Sequence, residues 1–159
     1  MKKTIICLTF ILSTGMVASA QTQESNVEPT GLEHARSIFD AISGVMVFNI
    51  YNANNYIFDL YANNILKKED AFTKAAQQVN TLEYLITQLD REINGEGELK
   101  NLKKSDFNYL KELKKAVLIL KNQAGHLKEH INGIEGSQSK FMIQKALALK
   151  QITRVMSKQ

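Results

Sequence analysis

The stretch LKELKKAVLILKNQAGHLKEHINGI, residues 110–134, is the clearest structural signal in this 159-residue chain. Its apolar residues recur at alternating steps of three and four, which is the spacing of one face of an α-helix. The residues on that face are Leu110, Leu113, Val117, Leu120, Ala124, Leu127, Ile131 and Ile134. The face is about 40 Å long by the rise of an α-helix, so it predicts a long helix that buries one side.

Three further helices are predicted on either side of this one. Apolar residues at helical spacing indicate helices over about residues 31–66, 70–94 and 138–157, in addition to 105–134. The segment NGEGE ends the second helix, and NGIEGSQS separates the third helix from the fourth. Gly95 suits the left-handed residue that closes a helix. Because short connections make consecutive helices antiparallel, the sequence predicts an all-α, elongated up-down-up-down four-helix bundle over residues 31–159.

The first twenty residues have the three parts of an export signal. Lys2 and Lys3 precede the apolar stretch TIICLTFILSTGMVA, and an A-x-A cleavage motif ends at Ala20. The apolar stretch is short for a membrane anchor, and Cys7 lies inside it rather than after it, where a lipoprotein needs its cysteine. We therefore expect a cleavable signal peptide over residues 1–20, a flexible polar leader over 21–30, and a periplasmic or extracellular bacterial protein.

The composition of the remaining chain argues against most catalytic classes. Removal of the signal leaves no cysteine, which excludes thiol catalysis, disulfide exchange and thiolate metal sites. The sequence also lacks the Glu-x-x-His pairs of a di-metal bundle, a phosphate-binding glycine loop and a serine nucleophile turn. We therefore expect no enzymatic activity and no cofactor.

The motif HLKEH is the one candidate for metal binding. It places His126 and His130 four residues apart on one side of a helix, with Glu129 beside them. This spacing can chelate a divalent ion, but zinc sites normally use three or four protein ligands. Nothing in the sequence brings His34 to the pair. We therefore expect a solvated surface pair and no bound metal.

The stretch FNIYNANNYIFDLYANN, residues 48–64, is the main candidate for recognition because it concentrates asparagine and tyrosine in a helix. Its core stripe is predicted to pass through Met46, Ile50, Ala53, Ile57, Leu60 and Asn64. Two other stripes lie about 100° to either side of it. The aromatic stripe is Val47, Tyr51, Asn54, Phe58, Tyr61 and Ile65; the polar stripe is Asn49, Asn52, Tyr56, Asp59 and Asn63.

The two apolar stripes of this helix imply two packing surfaces. Either the helix lies between two neighbours, or its aromatic stripe contacts something outside the bundle. In the functional interpretation, the polar stripe hydrogen-bonds a polar ligand or protein, while Tyr51, Phe58 and Tyr61 stack on it or on a partner helix. The alternatives are self-association through the aromatic stripe, and a scaffold helix whose tyrosine hydroxyls and amides reach solvent.

Charge is segregated along the chain. Residues 21–99 contain five basic and twelve acidic residues, whereas residues 100–159 contain thirteen and four. The two halves either pack together and neutralise one another, or the basic half provides a surface for anionic lipid. Nucleic acid is not expected, because apolar positions dilute the lysines and no groove-reading motif is present. The leading hypothesis is an exported interaction or ligand-binding module, and the alternative is a membrane-associated or envelope-assembly component.

Overall fold

The computed structural model describes residues 31–97, 99 and 102–157. This part of the chain forms four helices: α1 (Gly31–Ala62), α2 (Lys68–Ile93), α3 (Lys104–Ile131) and α4 (Ser137–Met156). No described residue is in a strand, so the predicted all-α four-helix bundle is confirmed. The predicted signal peptide and polar leader lie outside the described residues.

Helix α3 is the centre of the bundle. It contacts each of the other three helices, whereas α2 and α4 make no contact with each other within the described residues. Helix α1 runs parallel to α3, because Ser43 hydrogen-bonds Tyr109 near one end and Tyr61 hydrogen-bonds Ile131 near the other. The bundle is therefore flattened, with α1 and α3 on its short diagonal and α2 and α4 at its outer edges.

The apolar face predicted for α3 forms the core. Seven of its eight predicted residues, from Leu110 to Ile131, are at most 2% exposed. Ile134 is the exception, because it lies beyond the end of the helix and is exposed. Full burial of a leucine, isoleucine or valine side chain stabilises a fold by about 1.5–3 kcal/mol, so this face contributes strongly to the stability of the bundle.

Helix α1 ends within the asparagine-rich stretch of the sequence. Helix α1 ends at residue 62, four residues before its predicted end, because Asn64 adopts a left-handed conformation with φ of 56°. The Ile65 N–H then donates to the Leu60 carbonyl at 2.8 Å, which closes the last turn. Gly95 closes α2 in the same way, as predicted, with φ of 77°.

Candidate functional site

Helix α1 presents a different side to the core from the one that its apolar pattern predicts. The aromatic stripe faces inward: Val47 and Asn54 are fully buried, and Tyr51 and Phe58 are 9% exposed. Of the predicted core stripe, Ile57 is buried, and Met46, Ile50, Ala53 and Leu60 are half-buried. Ile50 still packs against the main apolar cluster. The most buried side of α1 is therefore centred about 100° from the predicted core stripe, and α1 lies between neighbouring helices, which was one of the two predicted arrangements.

The three aromatic residues expected to stack on a ligand are used by the bundle itself. The Phe58 ring stacks on Phe141 of α4 at a centroid distance of 4.6 Å. The Tyr61 hydroxyl donates to the Ile131 carbonyl at 3.3 Å, and Tyr51 packs in the main apolar cluster. Tyr51 and Phe58 are thereby buried within the bundle, and Tyr61 is half-buried beside them, so the three side chains do not form an exposed stacking surface.

The polar stripe lies on the outward side of α1, and all five of its side chains are exposed. We call these residues the α1 outward face: Asn49, Asn52, Tyr56, Asp59 and Asn63. The face is about 21 Å long by the rise of an α-helix. Tyr56, near its middle, is 64% exposed. The Asn63 amide donates to the Asp59 carbonyl at 2.8 Å, so this side chain is partly committed to the end of the helix.

The chemistry of the α1 outward face is that of recognition. Asparagine amides donate and accept hydrogen bonds, and the carboxylate of Asp59 accepts them. Tyr56 adds an aromatic ring with a hydroxyl at its tip, which can stack and hydrogen-bond at once. The face contains no histidine and no cation. It therefore offers a polar partner hydrogen-bond donors and acceptors, one carboxylate and one exposed aromatic ring.

A buried amide cluster on the other side of α1 holds this helix on α3. The Asn54 amide donates to the Leu120 carbonyl at 3.3 Å and to Gln123 Oε1 at 3.2 Å. The Gln123 amide in turn donates to Asn55 Oδ1 at 3.0 Å. Since both Asn54 and Gln123 are fully buried, these bonds fix which side of α1 faces α3. The cluster thereby sets the direction in which the α1 outward face points.

The amide cluster is not optimal for stability. Within the described residues, Asn54 Oδ1 is buried and accepts no hydrogen bond. An unpaired buried polar atom costs about 1–3 kcal/mol. An apolar side chain would avoid this cost but would also allow other orientations of α1, since a second apolar stripe lies beside the aromatic one.

An apolar cleft between α1 and α2 is a feature that the sequence pattern did not predict. It has a volume of about 490 Å³ and lies at the end of the bundle where α1 begins and α2 ends. Its walls include Phe39 and Met46 of α1 and Leu85 and Leu89 of α2, and Leu113 of α3 contributes to its floor. The only sequence signal for the cleft was the unusually broad apolar arc of α1.

The two histidines of the HLKEH motif have different partners. His126 Nδ1 is 2.8 Å from Glu129 Oε2, and this hydrogen bond lowers the pKa of Glu129. The His130 ring packs against Phe58 at a centroid distance of 5.5 Å and against Tyr61 at 6.0 Å. Among the described residues, no three His, Cys, Asp or Glu side chains are grouped closely enough to hold a metal ion.

Comparison with known proteins finds no protein family, no curated protein and no solved structure that matches this chain. None of the helices in the described ranges has both the length and the apolar character that crossing a membrane requires. A functional proposal therefore rests on the side chains and surfaces themselves.

Proposed function

We propose that this protein is an exported, non-enzymatic binding protein that recognises a polar ligand or protein partner through the α1 outward face. The observation that supports this proposal is the uncovered row of five polar residues around Tyr56. An asparagine inside a helix is roughly 0.6 kcal/mol less favourable than alanine. Because Asn49 and Asn52 are exposed, no packing gain offsets that cost, and a role in binding accounts for their presence.

Tyr56 is the centre of the proposed binding surface. Asn52 lies one turn before it and Asp59 one turn after it, so the three side chains are neighbours on the helix. Tyrosine and asparagine are enriched in antibody binding loops, because tyrosine gives a large contact area at low entropic cost and asparagine gives adaptable hydrogen bonds. We expect the partner to offer hydrogen-bond donors to Asp59 and a flat surface to the Tyr56 ring.

A matched pair of tyrosines makes the proposal testable. Tyr56 on α1 and Tyr84 on α2 are each 64% exposed. A photo-reactive phenylalanine analogue is introduced at one position or the other in the full-length chain, and adducts formed in the host cells are compared. We expect a discrete adduct from position 56 and none from position 84.

A second substitution tests whether that adduct depends on the proposed surface. With the photo-reactive residue at position 56, Asp59→Ala is expected to abolish the adduct, because it removes the carboxylate one turn away. Equal adducts from positions 56 and 84 would contradict the proposal. An adduct that Asp59→Ala leaves unchanged would contradict it as well.

A second candidate function, binding of a small apolar ligand, is favoured by the α1–α2 cleft. Its volume of about 490 Å³ is within the range of about 300–1,000 Å³ typical of small-molecule sites. The chain contains no tryptophan, so Gln88→Trp on the cleft wall provides a fluorescent reporter, and Gln77→Trp on the exposed side of α2 is its control. A monomeric alkyl detergent should shift the emission of the first variant only. An equal response from both would remove this candidate.

A further inference from the structure

Helix α4 carries apolar and cationic side chains together on its exposed side. We call this row the α4 strip: Lys140, Ile143, Leu147, Lys150 and Arg154, at alternating steps of three and four. Ile143 is 59% and Leu147 is 45% exposed, and because they lie one helical turn apart they form one exposed aliphatic surface between the cations. The opposite side of α4 is buried in the core through Phe141 and Ile152. The strip is therefore additional to the packing face of the helix.

Two ion pairs join the acidic and basic halves of the chain, and both lie between α2 and α3. Lys114 of α3 pairs with Asp90 of α2, and Lys121 of α3 pairs with Glu83 of α2 at 3.0 Å. This arrangement bears out one of the two interpretations of the segregated charge for those two helices. It does not extend to α4, which has no contact with α2 in the described residues.

The positive charge of the α4 strip is compensated only in part. Lys140 and Lys150 form no ion pair with any described residue, and α4 itself contains no acidic side chain. Lys140 does lie near enough to Glu129 of α3 for its charge to help lower the pKa of that carboxyl. Arg154 has one partner, Glu112 of α3, at 3.4 Å, and more than half of the arginine side chain is exposed. The strip thus presents net positive charge around two exposed aliphatic side chains.

We propose that the α4 strip docks this protein on the surface of an anionic lipid bilayer. Aliphatic side chains of an interfacial helix enter the boundary between head groups and acyl chains, while lysine and arginine keep their charged ends among the head groups. Nucleic acid or an acidic polysaccharide would match the cations but leave Ile143 and Leu147 in water. An anionic bilayer surface matches both kinds of side chain, through charge complementarity and through burial of apolar area.

Vesicle flotation of the full-length mature protein tests the docking surface. The probes are vesicles of phosphatidylglycerol mixed with phosphatidylcholine, and vesicles of phosphatidylcholine alone. We expect binding to the anionic vesicles only, and weaker binding at high salt because salt screens the attraction. Lys150→Gln should lower the affinity about fivefold, which corresponds to the attraction of one cation near an anionic membrane.

Matched variants distinguish the α4 strip from general surface properties. Ile143→Gln combined with Leu147→Gln should lower binding further, whereas Leu118→Gln and Lys111→Gln, exposed positions on α3, should leave it unchanged. Absence of binding to anionic vesicles at low salt would overturn the proposal. Equal binding to both kinds of vesicle, or an equal loss in the α3 variants, would overturn it too.

The membrane-docking proposal for α4 and the partner-binding proposal for α1 can be tested separately, and either one can be refuted without the other. The α4 strip shares no residue with the α1 outward face, so Tyr56→Ala should leave vesicle binding unchanged. Circular dichroism confirms the fold of each variant. If the double substitution on α4 unfolds the protein, Lys150→Gln and the salt dependence still decide the question, because an exposed lysine contributes little to folding.

Discussion

Replacing the two buried amides between α1 and α3 is expected to stabilise the protein while loosening the orientation of α1. The substitutions are Asn54→Leu, which keeps the branched shape of the side chain, and Gln123→Met, which keeps an unbranched one. The two residues are hydrogen-bonded to each other at 3.2 Å and fully buried. Their effects should therefore be strongly coupled.

The expected magnitudes follow from which polar atoms each variant leaves unpaired. Asn54→Leu removes the unpaired Oδ1 but leaves Gln123 Oε1 without a donor, so the free energy of unfolding should change by less than about 1 kcal/mol. Gln123→Met leaves one N–H of Asn54 unpaired beside the unpaired Oδ1, and it also removes the donor to Asn55 Oδ1, so it should cost about 1–3 kcal/mol. The double variant removes both buried amides, and the half-buried Asn55 oxygen can accept from water instead, so it should gain about 1–2 kcal/mol.

Urea unfolding of the wild type, both single variants and the double variant measures this cycle. We expect a coupling free energy of about 2–5 kcal/mol and, for a domain of this size, a rise in Tm of about 4 °C for each kcal/mol gained by the double variant. Amide NMR signals of α1, but not of α3, should broaden in the double variant as α1 samples a second orientation. Effects that add to within about 0.5 kcal/mol would refute the reasoning.

Three local features give further expected outcomes: a buried carboxylate, a left-handed residue and the α1–α2 cleft. Hydrogen bonding from Gln151 lowers the pKa of Glu112 in the folded protein. The Glu112 carboxylate therefore stabilises the fold at pH values above the ordinary glutamate pKa of about 4.3. This stabilisation is lost as the pH falls through the lower pKa of the folded protein. In thermal melts at neutral pH, the free energy of unfolding of the Glu112→Gln variant should be lower than that of the wild type by about 1 kcal/mol, and at low pH the two should be equal. The Glu135→Gln variant, at an exposed position, should show no such difference at either pH. Asn64→Val should cost about 1–2 kcal/mol in urea unfolding because φ is positive there, and Asn64→Gly should not. Amide hydrogen exchange should be faster in residues 39–46, beside the cleft, than in the middle of α3; equal rates would show that this end of α1 is firmly held.

The number, type and order of the helices could be predicted from the sequence because the signals are local. The face of α3 from Leu110 to Ile131 repeats without interruption, and Gly95 marks a helix end through its own conformational freedom. The end of α1 was predicted four residues late, because Asn64 was assigned to an apolar stripe rather than to a left-handed terminus. Asparagine tolerates that conformation, but its sequence signal is weaker than that of glycine.

The rotation of α1 could not be predicted, because two of its stripes are apolar enough to face a core. The aromatic stripe, which is the buried one, contains Asn54, and asparagine is normally an exposed residue. The sequence pattern therefore argued against burial of this stripe. Its partner Gln123 is 69 residues away in the chain and lies on another helix. Such a pairing is not visible in the periodicity of α1 alone.

The polar residues of the candidate site could be predicted from the sequence, but the positions of its aromatic residues could not. Helical spacing alone places the five polar residues on one side of α1, and they do share the outward side. The roles expected for Tyr51, Phe58 and Tyr61 depended on the rotation of the helix, and the structure places these residues against the bundle. The α1–α2 cleft depends on how two helices pack against each other, and the apolar pattern of one helix does not specify that packing.

The most direct test of the proposed function is a titration of the partner recovered from crosslinking at position 56 with three variants of the intact protein. We predict that Tyr56→Ala and Asp59→Ala each weaken binding by roughly 30-fold, the effect of a side chain worth about 2 kcal/mol at an interface, without a change in Tm. Tyr84→Ala, an equally exposed control, should bind like the wild type. Equal affinities for the Tyr56 and Tyr84 variants, or unfolding of both α1 variants, would show that the α1 outward face is scaffold.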